Sequence, residues 1–184
     1  LAGIDLRYRP TASTEIRAEV AVSDTRATGG NPTPAQDGTA TAWQIEAEHH
    51  TSRFDVLAYA REREAGFGVG QLNASENGTR KFGVDARARI SEGLSLTGSA
   101  WHEDFLGSSA QRVAGRGLIE YRNRAFSARA GITIADDRLA DGRSARSQLL
   151  QLGATKRLFD NQLEIDTQTE LPIGGKGAES IDFP

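Results

Sequence analysis

Three histidines, His49, His50 and His102, are the residues of this chain best suited to proton transfer or metal ligation. All three fall at the ends of alternating runs, where titratable surface residues are common, and no serine sits in a nucleophile-elbow sequence. The acidic run Asp136-Asp137-Arg138-Leu139-Ala140-Asp141-Gly142 offers carboxylate oxygens to a hard cation such as calcium. It lacks the ligand spacing of an EF-hand loop, and its interspersed arginine lowers the charge. Gly66-Phe67-Gly68-Val69-Gly70 has the glycine density of a phosphate loop, but no lysine follows and no helix stands behind it, so it reads as a flexible loop. Asn73-Ala74-Ser75 and Asn77-Gly78-Thr79 fit the N-glycosylation acceptor pattern by chance. With no cysteine, thiolate metal sites, disulfides and a cysteine nucleophile are excluded. These residues predict a chain that is not an enzyme, with no catalytic residue, cofactor or metal site.

The elements that would position any such group are strands. Between Lys81 and Trp101, Phe82, Val84, Ala86, Ala88 and Ile90 fall on every second residue, with Lys81, Asp85, Arg87 and Arg89 between them. A period of two places successive side chains on opposite faces of a strand. Ser91-Glu92-Gly93 then joins a second strand, in which Leu94, Leu96, Gly98 and Ala100 oppose Ser95, Thr97 and Ser99. Trp101 falls on the polar side of that alternation. The hairpin recurs five times. Ile4–Arg9 and Glu15–Val22 form the first, with Ile16, Ala18, Val20 and Val22 against Glu15, Arg17 and Glu19. Trp43, Ile45 and Ala47 oppose Gln44, Glu46 and Glu48, and then Phe54, Val56, Ala58 and Ala60 oppose Asp55, Leu57, Tyr59 and Arg61. A strand over about Val113 to Arg122, carrying Arg116 and Glu120, is the weakest because glycine weakens strand pairing. Phe126, Ala128, Ala130, Ile132 and Ile134 follow, opposite Ser127, Arg129 and Thr133. In the last hairpin Leu150, Leu152 and Ala154 lead to Leu163 and Ile165, opposite Glu164, Asp166, Gln168 and Glu170. Pro172-Ile173-Gly174-Gly175 is expected to open a loop, and Ser180-Ile181-Asp182-Phe183 to begin an eleventh strand. All five prolines are expected at turns, in loops or at the chain end, because proline cannot donate to a ladder.

The sequence therefore predicts an all-β, antiparallel up-and-down meander of about ten strands over residues 1–184, a single β-barrel region. Its net charge of −3 argues against nucleic acid as a partner, and its hydrophobic fraction of 38% is low for a packed globule. No apolar run is long enough for a transmembrane helix, whereas a spanning strand needs only about 9–11 alternating residues. Short connections of about two to five residues alternate with long ones of about ten to nineteen, the one-sided loop pattern of outer-membrane barrels. The polar face carries both charge signs on neighbouring strands, and the apolar face is rich in Ala and Gly, too lean for a closed dry core. Aromatic girdles are thin, with aromatic residues at 7%. In the membrane arrangement, Arg17, Glu19, Glu46, Glu48, Arg61, Asp85, Arg87, Arg89, Arg116, Glu120, Arg129, Glu164 and Asp166 line a lumen. Ile16, Val20, Trp43, Ile45, Phe54, Val56, Phe82, Val84, Ile90, Leu94, Leu96, Phe126, Ile132, Leu163 and Ile165 face lipid. The alternative is a soluble β-barrel or β-sheet binding module with the apolar face inward.

Runs such as Ile16-Arg17-Ala18-Glu19-Val20, Asp55-Val56-Leu57-Ala58-Tyr59-Ala60-Arg61, Ala65-Gly66-Phe67-Gly68-Val69-Gly70-Gln71 and Asp137-Arg138-Leu139-Ala140-Asp141-Gly142 resemble the barrel-forming parts of very large, multi-domain outer-membrane proteins of Gram-negative bacteria. The resemblance spans essentially the whole chain. It implies a bacterial outer-membrane location, lipid and other domains of a parent chain as partners, and a role as passive pore or envelope anchor. No signal peptide is visible, and the chain ends Ile181-Asp182-Phe183-Pro184 instead of in a strand with a terminal aromatic. The expectation is a segment of a larger barrel, truncated at both ends.

Overall fold

The fold is ten antiparallel strands, each hydrogen-bonded to its neighbours in the sequence, as seen in a computed structural model that describes residues 1–25, 38–68, 78–160 and 162–176. The strands are β1 (Ala2–Thr11), β2 (Thr14–Thr25), β3 (Gly38–His50), β4 (Phe54–Arg63), β5 (Thr79–Arg89), β6 (Leu94–Phe105), β7 (Gln111–Arg122), β8 (Phe126–Arg138), β9 (Ser144–Leu158) and β10 (Leu163–Lys176). No helix occurs among the described residues. Local chemistry fixes the hairpins. Thr51 Oγ1 accepts from the Phe54 amide at 2.9 Å, and Asn123 Oδ1 accepts from the amides of Ala125 at 3.0 Å and Phe126 at 2.9 Å. Both are side-chain substitutes for a backbone turn bond. At the β9–β10 turn, Phe159 and Asp160 take φ of 53° and 52°, the positive values that match a tight hairpin to strand twist.

The sheet is open. β1 and β10 each keep one unpaired edge, so the meander is established while closure into a barrel is not. Its register is staggered. One row of partners runs Ile16, Ala47, Ala58, Val84, Ala100, Gly115, Ile134, Gln148. Ile16 stands two residues from the turn-side end of β2 at Thr14, and Gln148 stands ten from the turn-side end of β9 at Leu158. The row climbs eight residues over seven pairings, about one per strand; at ~3.3 Å per residue and ~4.8 Å between strands this is a tilt of about 35°.

Several sequence expectations need correction. Pro172 does not open a loop; β10 runs through it to Lys176, with a register shift between Pro172 and Gly174. Pro10 does not end β1, which continues to Thr11 with a shift between Tyr8 and Thr11. Both prolines lie in edge strands beside irregularities, where a missing N–H leaves little unpaired. β8 and β9 leave only residues 139–143 between them, and β6 and β7 only 106–110, because these strands extend further than the alternation suggested. Two of the four long connections are thus five residues each, and the loop asymmetry rests on 26–37 and 64–78. β7, the strand weakened by glycine, is fully paired on both sides. The eleventh strand at Ser180–Phe183 lies outside the described residues, as do Asn73 and Asn77 and the last two residues of the glycine-rich run, Val69 and Gly70.

Candidate functional site

The two faces of the sheet, and not any catalytic cluster, are the candidate functional surface. Cross-strand partners share a face, so the register sorts every strand residue. Ile16 and Val20 share one face with Trp43 and Ile45, and Phe54 and Val56 continue it on β4. Phe82 and Val84, Leu94 and Leu96, Phe126 and Ile132, then Leu163 and Ile165 complete it across the sheet. Ile90 lies just past β5 in the turn, 60% exposed. The other face carries Arg17, Glu19, Glu46, Glu48, Arg61, Asp85, Arg87 and Arg89 on β2 to β5. Arg116, Glu120, Arg129, Glu164 and Asp166 extend it to β10. Trp101 belongs there too, opposite Gly83 and Ala114 with no bulge between.

The faces differ in exposure. Every buried residue of the strands lies on the polar face: Ser23, Ala40, Thr79, Ala114, Gly131, Ala135, Asp137 and Ala145. On the apolar face Ile4 is 75% exposed, Ile45 50% and Ile165 49%, with Val84, Leu96 and Ile119 also exposed. The polar face is therefore the more covered of the two, the inner face of the sheet. Large side chains on that inner face lie over glycines. A Cβ on Gly83 would come 2.4 Å from the Tyr59 ring, and one on Gly153 would come 2.5 Å from Arg129 Nε.

Apolar-face aromatics gather at the two ends. Tyr8, Phe54, Tyr121 and Phe126 lie near the short turns, and Trp43 and Phe82 toward the loops. Between them stand aliphatic residues, alanine and glycine, with Thr167 and Thr169 on β10. Beyond Trp43 and Phe82 the same face turns ionic: Arg80 meets Glu62 at 2.5 Å, His102 meets Asp104 at 2.8 Å, and Arg146 grips Asp136 through two bonds of 2.7 Å.

Charge on the inner face divides into two sectors. Near the short turns, Glu15 collects Arg7 Nε at 2.7 Å, Arg9 Nε at 2.5 Å and Arg17 Nε at 2.6 Å. Arg17 also reaches Glu48 at 2.8 Å and Glu46 at 3.6 Å. Across β9 and β10, Arg157 donates to Glu164 at 2.8 Å, Thr155 to Asp166 at 2.7 Å, and Arg129 to Gln168 at 2.6 Å over Gly153. Glu120 is held by Arg122 at 2.8 Å, not by its register partner Arg129. In the middle of the sheet, Asp85, Arg87, Arg89 and Arg116 form no ion pair among the described residues. Lys81 lies 5.1 Å from the Trp101 ring centroid and Arg61 5.8 Å from that of Tyr59.

The residues first considered for chemistry stay apart. His49 Nδ1 bonds Thr14 Oγ1 at 2.9 Å and His50 meets Asp55, both at the short-turn end, while His102 sits at the loop end. The acidic run does not converge either: Asp136 serves Arg146, Asp137 takes Arg112 Nε at 2.6 Å, and Asp141 takes Arg143 Nε at 2.7 Å. The Arg143 backbone amide and then its guanidinium hold the Asp141 carboxyl below its ordinary pKa. No group of three or more metal-binding side chains occurs among the described residues.

One feature escaped the sequence reading. Gly66-Phe67-Gly68, expected as flexible loop, folds onto the inner face and buries Phe67, 6% exposed. The only sequence signal was a lone large aromatic between glycines in a polar loop. No protein-family model matches the chain, and no curated protein sequence matches it.

Proposed function

We propose that this chain is wall of a bacterial outer-membrane β-barrel, with its apolar face on lipid, its polar face toward a watery lumen, and a passive role as a pore. The observation that carries this reading is the exposure of the apolar face from β1 to β10 while strand burial is confined to the polar face. In water such a sheet has almost no driving force to fold. Its buried hydrophobic residues among those described are four alanines and Phe67, and burial of apolar surface is the dominant favourable term in folding. In lipid the exposed face needs no burial, and the requirement becomes pairing of every backbone group.

Dimensions agree with that setting. From Phe126 to Ile134 on β8 the apolar band spans eight residues, about 26 Å along the strand and about 22 Å along the membrane normal at ~35° tilt, close to the ~25 Å band of such barrels. Aromatic residues at both ends of the band, with ion pairs beyond its loop end, match the placement of interfacial girdles. Asp85, Arg87, Arg89 and Arg116 favour a pore over a solid anchor, because charges with no ion-pair partner among the described residues need water. The Glu15 and Arg17 network has the opposite character, rigid and self-satisfied, and fits a wall that holds its shape.

The test is fractionation of cells making the parent protein, with heated and unheated samples compared on SDS gels. Recovery in the outer membrane with a heat-dependent shift in mobility is the expected result. Recovery in the soluble fraction would sink the reading and favour the soluble alternative.

A further inference from the structure

We propose that the inward-folded segment Glu64–Gly68 roofs a binding site for a small organic anion at the loop end of the inner face. The segment is held at two points and its flanks at a third. Glu64 N–H donates to the Thr41 carbonyl at 3.0 Å while Thr41 N–H donates to Glu64 Oε2 at 2.6 Å. Gly68 N–H donates at 3.3 Å to Ser23 Oγ, which is 2% exposed, and Gly78 N–H donates to the Arg63 carbonyl at 2.8 Å. Beneath it lies a cavity of about 260 Å³ whose lining includes Ala21, Ala42 and Phe67 as apolar surface, with Arg61 and Glu19 among its charges.

The sign of the ligand follows from how those charges are engaged. Glu19 accepts from the Gln44 amide at 3.1 Å, and Glu62 turns its carboxylate to the opposite face, where it holds Arg80 at 2.5 Å. Arg61 lies 5.8 Å from the Tyr59 ring centroid and has no carboxylate partner among the described residues. Lys81, its register partner on β5, is engaged elsewhere, by Glu103 at 4.0 Å and the Trp101 ring, which leaves the open donors to Arg61. A guanidinium with open donors presents a planar fork suited to a carboxylate. Phe67 and the two alanines would take an apolar body, and the volume lies just under the ~300–1,000 Å³ of pockets for drug-sized ligands, which points to a smaller molecule. An aromatic or short aliphatic carboxylate has that chemistry. The inference does not depend on which medium the apolar face meets.

Benzoate is the probe. Equilibrium dialysis of radiolabelled benzoate against the detergent-solubilised parent protein should give saturable binding at one site per chain. Arg61→Gln should weaken it at least tenfold, since a charge-assisted bond is lost, and Arg61→Lys should recover part of the loss. Phe67→Ala should weaken it several-fold. Arg116→Gln, which removes an unpaired cation of the same face outside the cavity, should leave it unchanged, and circular dichroism would verify folding of each variant. Absence of saturable benzoate binding by the folded parent protein would overturn the proposal. So would an equal loss in Arg116→Gln, or equally tight binding of cyclohexylammonium, a cation of similar size. Either result leaves the membrane reading standing, because heat-shifted mobility is scored separately.

Discussion

Gly83 shows at the scale of one residue why the inner face cannot be read as polarity alone. Tyr59 crosses from its own strand onto the space that Gly83 leaves, and any side chain there must push the ring away. Gly83→Val is expected to lower the temperature of the heat-dependent gel shift. The double variant with Tyr59→Ala should lose less than the sum of the two single changes, a coupling of about 0.5–3 kcal/mol. Strict additivity would mean that ring and glycine do not interact. A second residue-scale expectation separates the faces. Val84→Arg, on the apolar face mid-band, should cost ~2–4 kcal/mol in a lipid bilayer, whereas Ser99→Lys, on the inner face opposite Asp85, should stay within about 0.5 kcal/mol. Denaturant titration in vesicles measures both, and similar costs for the two would argue against the face assignment.

At the scale of elements, the hairpins were legible because each strand alternates over several residues and some short turns carry a side chain that closes them, Thr51 and Asn123 among them. Strand ends were not legible. Where a strand rises past the apolar band, as at Asp136 and Asp137 or His102 to Asp104, charge replaces hydrophobicity without ending the ladder. Pro10 and Pro172 misled for a related reason: the sequence does not say which strands are edges, and only there can proline join a strand. The inward fold of Gly66–Gly68 depends on Ser23 and Thr41, far away in sequence, and the local pattern offers only a lone aromatic between glycines. The Glu15 cluster ties β1 to β2, and through Arg17 to β3. Glu15→Gln leaves Arg7, Arg9 and Arg17 crowded without their shared carboxylate. It should weaken the first hairpin at low salt, seen as faster hydrogen exchange in β1. The effect should shrink at ~1 M salt, where the screening length falls to about 3 Å; exchange indifferent to both substitution and salt would mean the cluster contributes nothing.

For the whole molecule, open edges and a one-sided apolar surface are two parts of one physical problem. β1 and β10 present unpaired backbone groups that a bilayer cannot satisfy. A chain placed in lipid must therefore pair those edges, with each other or with further strands, and the stagger of about one residue per strand already gives the tilt that closed barrels require. The central claim is that lipid meets the face of Trp43 while water meets the face of Trp101. Single-tryptophan variants, Trp101→Phe and Trp43→Phe, reconstituted into vesicles of brominated phosphatidylcholine, test it directly. Trp43 fluorescence should be strongly quenched relative to unbrominated vesicles, and Trp101 fluorescence should be nearly untouched. Quenching of Trp101 with Trp43 spared would turn the sheet inside out, and quenching of neither would remove the chain from the membrane.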